Sequence, residues 1–359
     1  MKGVIDLMTF LHKLNNICIG IIVAGLVSAC STAQTSPLKT HHTTSGYVNI
    51  TPQESPSITD MLEFGWESLT NDAKTVEYPL ALNNPEFLQR NTSKPTVTWI
   101  GHATFLIQMD GVNILTDPHF SERASPVSWA GPKRYTPPGL TLEELPVIDF
   151  VIISHNHYDH LDLKTVQKLR AQQEKNPPMF YVPLGLQSWF KDAGIENVKE
   201  LDWWGKDTFK GISLHSVPIQ HYSSRTPWNR NHSLWAGWVI KDSQSTIFFV
   251  GDTGYSKDFK DIGKRFGPMD LSLLPIGAYE PRRFMESIHV NPQEAVKIHQ
   301  DVQSRYSIGM HWGTFSLTTE DMDEPPRQLK QALKQANISE SEFFIMGHGE
   351  TRMLNTLFN

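Results

Sequence analysis

The sequence predicts an α/β fold made of two β-sheets with helices on their outer sides. Short alternating apolar segments are interspersed with segments of helical spacing, hairpin patterns are mixed with strand–helix units, and polar residues follow several strands at their ends. The 359 residues suffice for one α/β domain of roughly 250 residues with appendages. Contents of 39% hydrophobic and 19% charged residues indicate a folded protein rather than a disordered one.

The first thirty residues have the pattern of an export signal. Lys2 and Lys13 precede an apolar run from Ile17 to Val27, which ends in the small residues before Cys30. This pattern resembles a bacterial lipoprotein signal, which implies cleavage of residues 1–29 and a lipid on Cys30. The resemblance predicts a protein anchored in the bacterial cell envelope, and Ser31 resembles the sorting pattern for the periplasmic face of the outer membrane. The alternative is an uncleaved helix that tethers the chain to a membrane.

Cysteine count and charge exclude two further classes of protein. Cys18 and Cys30 are the only cysteines, so the mature chain would have no disulfide, and stability must come from the core and from bound metals. The formal net charge is −6, and removal of Lys2, Lys13 and Asp6 (net +1) leaves −6 − (+1) = −7. A nonspecific nucleic-acid binder would show a basic balance instead, so we expect no nucleic-acid partner.

The chain is expected to consist of a signal peptide (1–29), a flexible tether (30–55), a helical or extended appendage (56–94) and a catalytic domain (95–359). The tether is rich in Ser, Thr and His, and the appendage holds one helix within residues 56–69. The domain begins with strands at 96–99, 104–109 and 112–116. Asp110-Gly111 is predicted to form a tight hairpin turn between the last two strands.

The remaining domain alternates between strand and helix patterns. Strands are predicted at 150–153, 179–182, 198–201, 212–217, 234–240, 246–250, 271–275, 307–310 and 342–345. Helices are predicted at 163–172, 259–266, 292–301 and 327–336.

A dense group of potential metal ligands follows the apolar run 150–153. His155, His157, Asp159 and His160 place four ligands within six residues, where a buried strand ends in a loop. His155 and His157 are two residues apart and can point the same way, while Asp159 and His160 can face a second point, so the group suits two adjacent divalent ions. Imidazole and carboxylate ligands favour zinc, and iron or manganese are alternatives. A surface loop rich in His by composition alone is the alternative interpretation.

Three more ligands occur at the ends of other predicted strands. His221 follows Val217, Asp252 follows the strand at 246–250, and His311 follows Met310. Ligands that repeatedly follow strands are expected when one edge of a sheet forms a site. The sequence therefore predicts a metal site at a sheet edge.

These motifs resemble the metallo-β-lactamase superfamily and, more closely, the N-acylphosphatidylethanolamine-hydrolysing phospholipase D family. The resemblance covers roughly residue 95 to the C-terminus. Its segments are Thr98–Thr104, Leu115–Pro118, Gly131–Arg134, Ile153–Asp162, Glu200–Trp204, Gly251–Tyr255, Gly263–Pro268, Pro275–Arg282, His311–Phe315 and His348–Glu350.

The resemblance implies an αββα sandwich with two zinc ions per chain at one edge of the sheets. It implies that His155, His157 and His221 bind one zinc, that Asp159, His160 and His311 bind the other, and that Asp252 bridges both. Hydroxide between the two ions would attack the phosphorus of the phosphodiester. The products would be N-acylethanolamine and phosphatidic acid.

Four further residues are candidates for supporting roles. Asp117 matches an aspartate of the superfamily that orients metal-bound groups, or it only begins an Asp-Pro turn. His289 matches a family histidine and would protonate the leaving group or hold phosphate, unless it only packs at a helix start. His102 either supports the ligands or is a satisfied core histidine, and Tyr158 either contacts substrate or only covers the site.

Other chemically active side chains are given structural roles. Core or surface positions are expected for His119, His215, His232 and His299, for the pair Trp203-Trp204, and for the solvated pairs Lys133-Arg134 and Arg282-Arg283. His119 and Arg283 depart from the family, in which an apolar residue and an aromatic residue are expected at these positions.

Three hypotheses for function follow. The first is a lipid-anchored phospholipase D that acts on N-acylated ethanolamine phospholipids at a membrane surface, where an anchor holds the domain beside its substrate. The second keeps the site but cleaves a lactone or carboxylic ester. The third is a non-catalytic metal-binding envelope protein, for which a broken ligand set would be expected. Family relatives form dimers, so a homodimer is an expectation from the resemblance alone.

Overall fold

The computed structural model describes residues 39–52, 58–70 and 72–358. The predicted signal peptide, Cys30 and most of the predicted tether lie outside these residues. Of the helices within these three ranges, none is both long enough and apolar enough to cross a membrane.

Sixteen strands and nine helices are present in the described residues. The strands are β1 His42–Thr43, β2 Gly46–Tyr47, β3 Thr96–Gly101, β4 Thr104–Met109, β5 Val112–Thr116, β6 Phe150–Ile152, β7 Met179–Pro183, β8 Val198–Leu201, β9 Lys206–Phe209, β10 Ile212–Val217, β11 Gly237–Lys241, β12 Thr246–Phe249, β13 Leu271–Pro275, β14 Tyr306–Met310, β15 Phe343–Ile345 and β16 Thr351–Met353. The helices are α1 Ile58–Thr70, α2 Pro85–Arg90, α3 Leu163–Gln172, α4 Gln187–Asp192, α5 Asp258–Phe266, α6 Arg282–Met285, α7 Pro292–Asp301, α8 Glu324–Ala336 and α9 Leu354–Phe358.

Two seven-stranded sheets form the domain, and both mix antiparallel and parallel pairing. The first has the order β16-β3-β4-β5-β6-β7-β8, and the second has the order β15-β14-β13-β12-β11-β10-β9. In the first sheet, pairing becomes parallel from β5 onward, and in the second it is parallel from β12 to β15. Parallel neighbours need crossover connections, and α3, α4, α5, α7 and α8 lie within these connections.

The layers are held together by apolar side chains on both faces of the sheets. Val97, Phe105 and Phe150 of the first sheet share one buried cluster with Leu214 and Phe248 of the second. A second cluster covers the opposite face of the first sheet, where strand residues meet side chains of α3 and α4. The predicted αββα arrangement is therefore confirmed.

Local sequence signals determine several of the element ends. Asp110 and Gly111 have φ values of 50° and 73°, so the β4–β5 connection is a two-residue hairpin in which both central residues are left-handed. Asn291 and Glu294 form a reciprocal capping box at the start of α7, and Pro292 occupies its first turn. Asp162 caps α3 by accepting a hydrogen bond from the Lys164 N–H group, which ends the ligand-rich loop after β6.

The N-terminal segment differs from the sequence prediction of a flexible tether over residues 30–55. Strands β1 and β2 form a small hairpin, and the N–H group of Tyr47 donates to the Asn231 carbonyl oxygen at 2.9 Å. Tyr47 and Ile50 also pack against the main apolar cluster. A composition rich in Ser, Thr and His does not reveal such contacts, because they depend on partners far along the chain.

Candidate metal centre

Loops at the ends of four strands bring the predicted ligands together. His155 follows β6, His221 follows β10, Asp252 follows β12 and His311 follows β14. All four side chains are buried. The predicted placement of ligands at strand ends along one edge is what the structure shows.

His155, His157 and His221 form a group that we call the imidazole cluster. His155 Nε2 and His221 Nε2 lie 2.8 and 3.2 Å from the same atom, His157 Nδ1. His221 Nδ1 lies 2.9 Å from the Ile288 carbonyl oxygen, which can only accept, so Nδ1 carries the hydrogen. A neutral His221 therefore directs the lone pair of Nε2 into the cluster.

Asp159, His160 and His311 form a second group that we call the carboxylate cluster, and His102 lies against it. His160 Nε2 is 3.2 Å from His311 Nε2, and Asp159 Oδ2 is 3.3 and 3.4 Å from these two atoms. His102 Nε2 contacts the same Asp159 oxygen at 2.9 Å. His102 thus holds a predicted ligand in place, which is the supporting role considered for it.

Asp252 lies between the two clusters. Its Oδ2 is 3.0 Å from His160 Nε2 and 3.9 Å from His155 Nε2, while its Oδ1 is 3.1 Å from His311 Nε2. One buried carboxylate therefore reaches members of both clusters, as the resemblance implies for a bridging ligand.

The donor set fits divalent transition metals. Imidazole nitrogens and carboxylate oxygens are the ligands that zinc, iron and manganese accept in proteins. In the imidazole cluster, neutral imidazole nitrogens directed at one another at 2.8 and 3.2 Å cannot all satisfy each other with hydrogen bonds, whereas a cation between them would use their lone pairs.

Charges in the two clusters differ. Burial holds the pKa of His155 well below its usual range and lowers the pKa of His157 to about 4 and that of His221 to about 3. Burial opposes protonation of His160 and His311 as well, but the carboxylates of Asp252 and Asp159 and their hydrogen bonds together outweigh it, so the pKa of His160 lies well above its usual range and that of His311 is raised to about 9. Without metal, the carboxylate cluster therefore balances its charge with protons.

Asp117 supports the ligands from behind. Its Oδ2 accepts a hydrogen bond from His160 Nδ1 at 2.6 Å, and its Oδ1 accepts one from the Ser154 N–H group at 2.7 Å. The Ser154 hydroxyl lies 2.9 Å from His155 Nδ1, so this support extends toward the imidazole cluster. Asp117 therefore orients ligand rings and does not face the reaction cavity, which refines its predicted catalytic role.

Backbone conformation at the site is constrained. His102, Asp117 and His311 have φ values of 54°, 31° and 64°, in the left-handed region that non-glycine residues rarely adopt. Gly251, directly before Asp252, has a φ of 71°, and a Cβ there would lie 2.5 Å from Ser154 Cβ. Only glycine fits at this close approach between the loops after β6 and β12.

A cavity of about 190 Å³ opens over the ligands. His157, Asp159 and Asp252 lie in its floor, and its walls carry the apolar side chains Phe284, Met285, Ile288 and Leu317. His289 also lines it, with Nε2 3.7 Å from Asp252 Oδ2. The cavity thus places polar metal ligands beside an apolar wall.

Comparison with known proteins identifies the family. A model of the β-lactamase superfamily domain matches residues 112–312. The chain is 41% identical over 304 residues to N-acyl-phosphatidylethanolamine-hydrolyzing phospholipase D 1 of Caenorhabditis elegans, covering 80% of this chain and 84% of the relative. The chain belongs to this phospholipase D family of the β-lactamase superfamily.

Further relatives agree with this assignment. An uncharacterized protein of Mycobacterium tuberculosis is 39% identical over 280 residues, covering 76% of this chain and 74% of the relative. Among solved structures, a possible metal-dependent hydrolase from Veillonella parvula has a TM-score of 0.56 at 18% identity, covering 73% of this chain and all of that chain. The isothiocyanate hydrolase from Delia radicum gut bacteria has a TM-score of 0.55 at 20% identity, covering 72% and 98%. At these identities, the two structures support the fold alone, which is that of the superfamily's hydrolases.

Tyr158 is placed differently from the other candidates of the family site. Its hydroxyl donates to the Arg225 carbonyl oxygen at 3.1 Å, and its ring lies 4.0 Å beneath the Arg225 guanidinium. It lines a separate groove of about 540 Å³ rather than the cavity over the ligands. Its predicted contact with substrate is therefore not supported at the metal centre, because packing against Arg225 turns the ring away.

Of the residues given structural roles, His119, His299 and Trp203 are buried, whereas both arginine-containing pairs include a residue with defined contacts. His299 Nδ1 contacts the Ser307 hydroxyl at 2.8 Å in the core, and Trp203 is buried. Arg134 was expected to be solvated, but it is half-buried: its guanidinium donates to the His119 carbonyl oxygen at 2.7 Å, and burial lowers its pKa to about 10. Arg282 also has a defined contact, donating to the His289 carbonyl oxygen at 2.8 Å.

Two residues that hold the ligands in position were not predicted from the sequence. Arg225 donates through one nitrogen to the carbonyl oxygens of Asn156 and Leu161, at 2.9 and 2.8 Å, and so joins both ends of the loop that carries four ligands. Asn49 donates to the His221 carbonyl oxygen at 2.8 Å. Proximity of Arg225 to His221 in sequence was a usable signal, whereas Asn49 lies 172 residues away from its partner and gave none.

Proposed function

We propose that the protein is a dinuclear zinc phosphodiesterase of the phospholipase D type, which hydrolyses N-acylphosphatidylethanolamine-like phospholipids to N-acylethanolamine and phosphatidic acid. The observation that carries the proposal is the position of Asp252, whose two oxygens reach both clusters. Relatives named for this reaction in Caenorhabditis elegans and in yeast mitochondria, 41% and 38% identical, support the choice of substrate.

The proposed division of ligands follows the two clusters. One ion would be held by the imidazole cluster, the other by the carboxylate cluster, and Asp252 would bind both. Two ions in these positions would supply Lewis-acid stabilisation of phosphate charge and a water molecule activated near neutral pH.

Other residues of the cavity suit an amphipathic phosphodiester. Burial lowers the pKa of His289 to about 3, so its ring is neutral and offers one N–H group to a phosphate oxygen. The apolar wall formed by Phe284, Met285, Ile288 and Leu317 would exclude water and contact lipid chains. Asp117 and His102 would keep His160 and Asp159 oriented during turnover.

The decisive experiment is product analysis by mass spectrometry after the full chain is incubated with N-acylphosphatidylethanolamine in detergent. N-acylethanolamine and phosphatidic acid should appear, and they should be absent after chelation and with Asp252→Asn. Asp261→Asn, which removes an exposed carboxylate on α5, is the matched control and should retain activity.

Failure of the lipid assay would be informative only if the protein holds metal. No phospholipid cleavage by a sample with about two metals per chain would overturn the proposed substrate. Hydrolysis of lactones or carboxylic esters by that sample would instead favour the second hypothesis, in which the same centre attacks carbonyl carbon.

We also propose, from the sequence alone, that the protein is a lipid-anchored component of the bacterial cell envelope. Lipid on Cys30 would hold the domain at the membrane surface where a phospholipid substrate lies. Metabolic labelling with a fatty acid should mark the wild-type chain but not Cys30→Ala. We further propose that the protein forms a homodimer. Analytical ultracentrifugation in detergent should give the mass of two chains, and the mass of one chain would contradict the proposal.

A further inference from the structure

Two consecutive histidines at the N-terminal hairpin contact one carboxylate that belongs to neither cluster of the metal centre. His41 Nε2 lies 2.7 Å from Asp202 Oδ1, and His42 Nε2 lies 3.1 Å from Asp202 Oδ2. One ligand atom from each of the three side chains lies within 4.8 Å of the others. Two imidazoles and a carboxylate thus converge, as they do in the catalytic clusters.

Packing around this group holds the rings in place. His41 is buried and stacks on the Trp203 ring with centroids 4.4 Å apart. The rings of His41 and His42 meet edge-on at 4.5 Å, which turns both Nε2 atoms to the same carboxylate although the residues are adjacent. The Trp203 N–H group donates to Asp202 Oδ1 at 2.8 Å and fixes the carboxylate. The three potential ligands are therefore ordered by their neighbours.

We propose that His41, His42 and Asp202 form a third, non-catalytic binding site for a divalent transition metal such as zinc. Neither the family comparison nor the proposed reaction requires this site, and it shares no residue with either catalytic cluster. Its ion would fasten the N-terminal hairpin to the catalytic domain.

The geometry is close to that of a bound ion. Zinc bonds to nitrogen and oxygen of about 2.0–2.2 Å in a tetrahedron place neighbouring ligand atoms about 3.4 Å apart. The contacts of 2.7 and 3.1 Å therefore need to open only slightly. His42 is 23% exposed, which leaves a side of the site open for a water ligand.

A metal here would act on the hairpin and through it on a catalytic ligand. The hairpin strands have only two residues each, and a two-stranded hairpin is marginal without further anchors. Asn49, directly after the hairpin, donates to the His221 carbonyl oxygen and accepts from the His221 N–H group and the Trp235 indole. An ion at the third site would thus keep Asn49 against the backbone of His221.

The test measures zinc bound to the full chain by elemental analysis, after dialysis against a series of buffered free-zinc concentrations. His42→Ala and Asp202→Asn should each bind one zinc fewer per chain than the wild type. His232→Ala is the matched control, because it removes an exposed histidine that belongs neither to the two catalytic clusters nor to the third site, and it should bind as much zinc as the wild type. Because the readout is a difference from wild type, it holds whether or not the phospholipase proposal is correct.

A second measurement separates metal binding from simple hydrogen bonding. Amide exchange in residues 41–50 should slow when zinc is raised in the wild type and in His232→Ala, but not in His42→Ala. His42→Ala leaves the His41–Asp202 contact intact, so it tests the site even if Asp202→Asn misfolds. Equal zinc content in the wild type and in folded His42→Ala at every free-zinc concentration would overturn the proposal.

Discussion

The two ligand clusters of the metal centre differ in the charge of their buried histidines. The imidazole cluster contains rings that burial keeps neutral, with pKa values of about 4 for His157 and about 3 for His221. In the carboxylate cluster, burial opposes protonation of His311, but the nearby Asp252 and the cluster's own Asp159 together raise its pKa to about 9. Only the second cluster carries a proton that a metal ion would have to displace.

The opposite charge states explain how one buried site can be stable both with and without ions. Uncompensated carboxylates in a protein interior are costly, so Asp252 needs a positive partner at all times. Protonated His160 and His311 provide it in the absence of metal, and the metal would provide it otherwise. The imidazole cluster needs no such partner, because neutral rings are tolerated in the core.

Removal of the shared charge should have the largest effect. Asp252→Asn keeps the shape but loses the negative charge that both clusters contact. We expect Asp252→Asn to remove several kcal/mol of transition-state stabilisation, which corresponds to a fall in kcat/KM of about a thousandfold. Steady-state rates and metals per chain should both fall, and a variant with wild-type metal content and rate would show that Asp252 does not join the clusters.

Asp117→Asn should act mainly on the carboxylate cluster, because its oxygen accepts from His160. Removal of such a support typically lowers metal affinity or activity about 10–100-fold. Competition with a chromophoric chelator should show one ion weakened more than the other. Ser154→Ala, which removes a hydroxyl close to His155 but leaves the Asp117–His160 contact, is the comparison variant. Equal weakening of both ions by Asp117→Asn would contradict the distinction between clusters.

Arg225→Lys should reduce activity by roughly tenfold, because Arg225 holds the loop that carries ligands of both clusters. Lysine cannot donate to two carbonyl groups while its charge stacks on Tyr158 as the guanidinium does. We expect kcat to fall more than KM changes, because the loop positions ligands rather than lipid.

Arg230→Lys is the matched control for Arg225, since Arg230 stacks on Tyr222 at 4.0 Å in the same way. It should change activity little. If both substitutions have equal effects, the loss reflects the missing guanidinium stacking on a tyrosine ring near the site and not the link between Asn156 and Leu161.

The pH dependence of the metal-free protein should show the smallest effect, a shift of a few degrees in the unfolding midpoint Tm. His311 has a pKa of about 9 in the folded state and 6.5 without its interactions. Its contribution to the stability of the folded state is therefore full below pH 6.5 and is lost as pH rises through about 9. His221, lowered to about 3, binds fewer protons when folded, so its effect is a loss of stability as pH falls below 6.5.

Substitution of a histidine in either cluster should therefore weaken the pH dependence of Tm on one side of pH 6.5 only. In chelated protein, His311→Gln should reduce the fall in Tm above pH 6.5, and His221→Gln should reduce the fall below it. Both variants changing the same arm would contradict the opposite charge states of the clusters.

Long periodic segments were predictable from the sequence. The helices at 163–172 and 292–301 have the predicted bounds, and the Asp110-Gly111 hairpin forms as expected. Strands β9 and β16 were missed, since each is short and is held mainly by pairing with another strand. The hairpin at residues 42–47 was missed for the same reason: its contacts are with Asn231 and Asp202, and composition carries no record of them.

Sequence alone determined the fold family and the chemical type of the candidate centre. Four ligands within six residues and three more after apolar strands can be recognised locally, because each pattern depends only on residues that are neighbours in the sequence. Tertiary structure decided which side chains meet: Asp252 between two clusters, Arg225 across the ligand loop, Tyr158 away from the cavity, and His41 and His42 on Asp202. These contacts join residues far apart in the chain, and their charge states depend on burial, which only the folded arrangement sets.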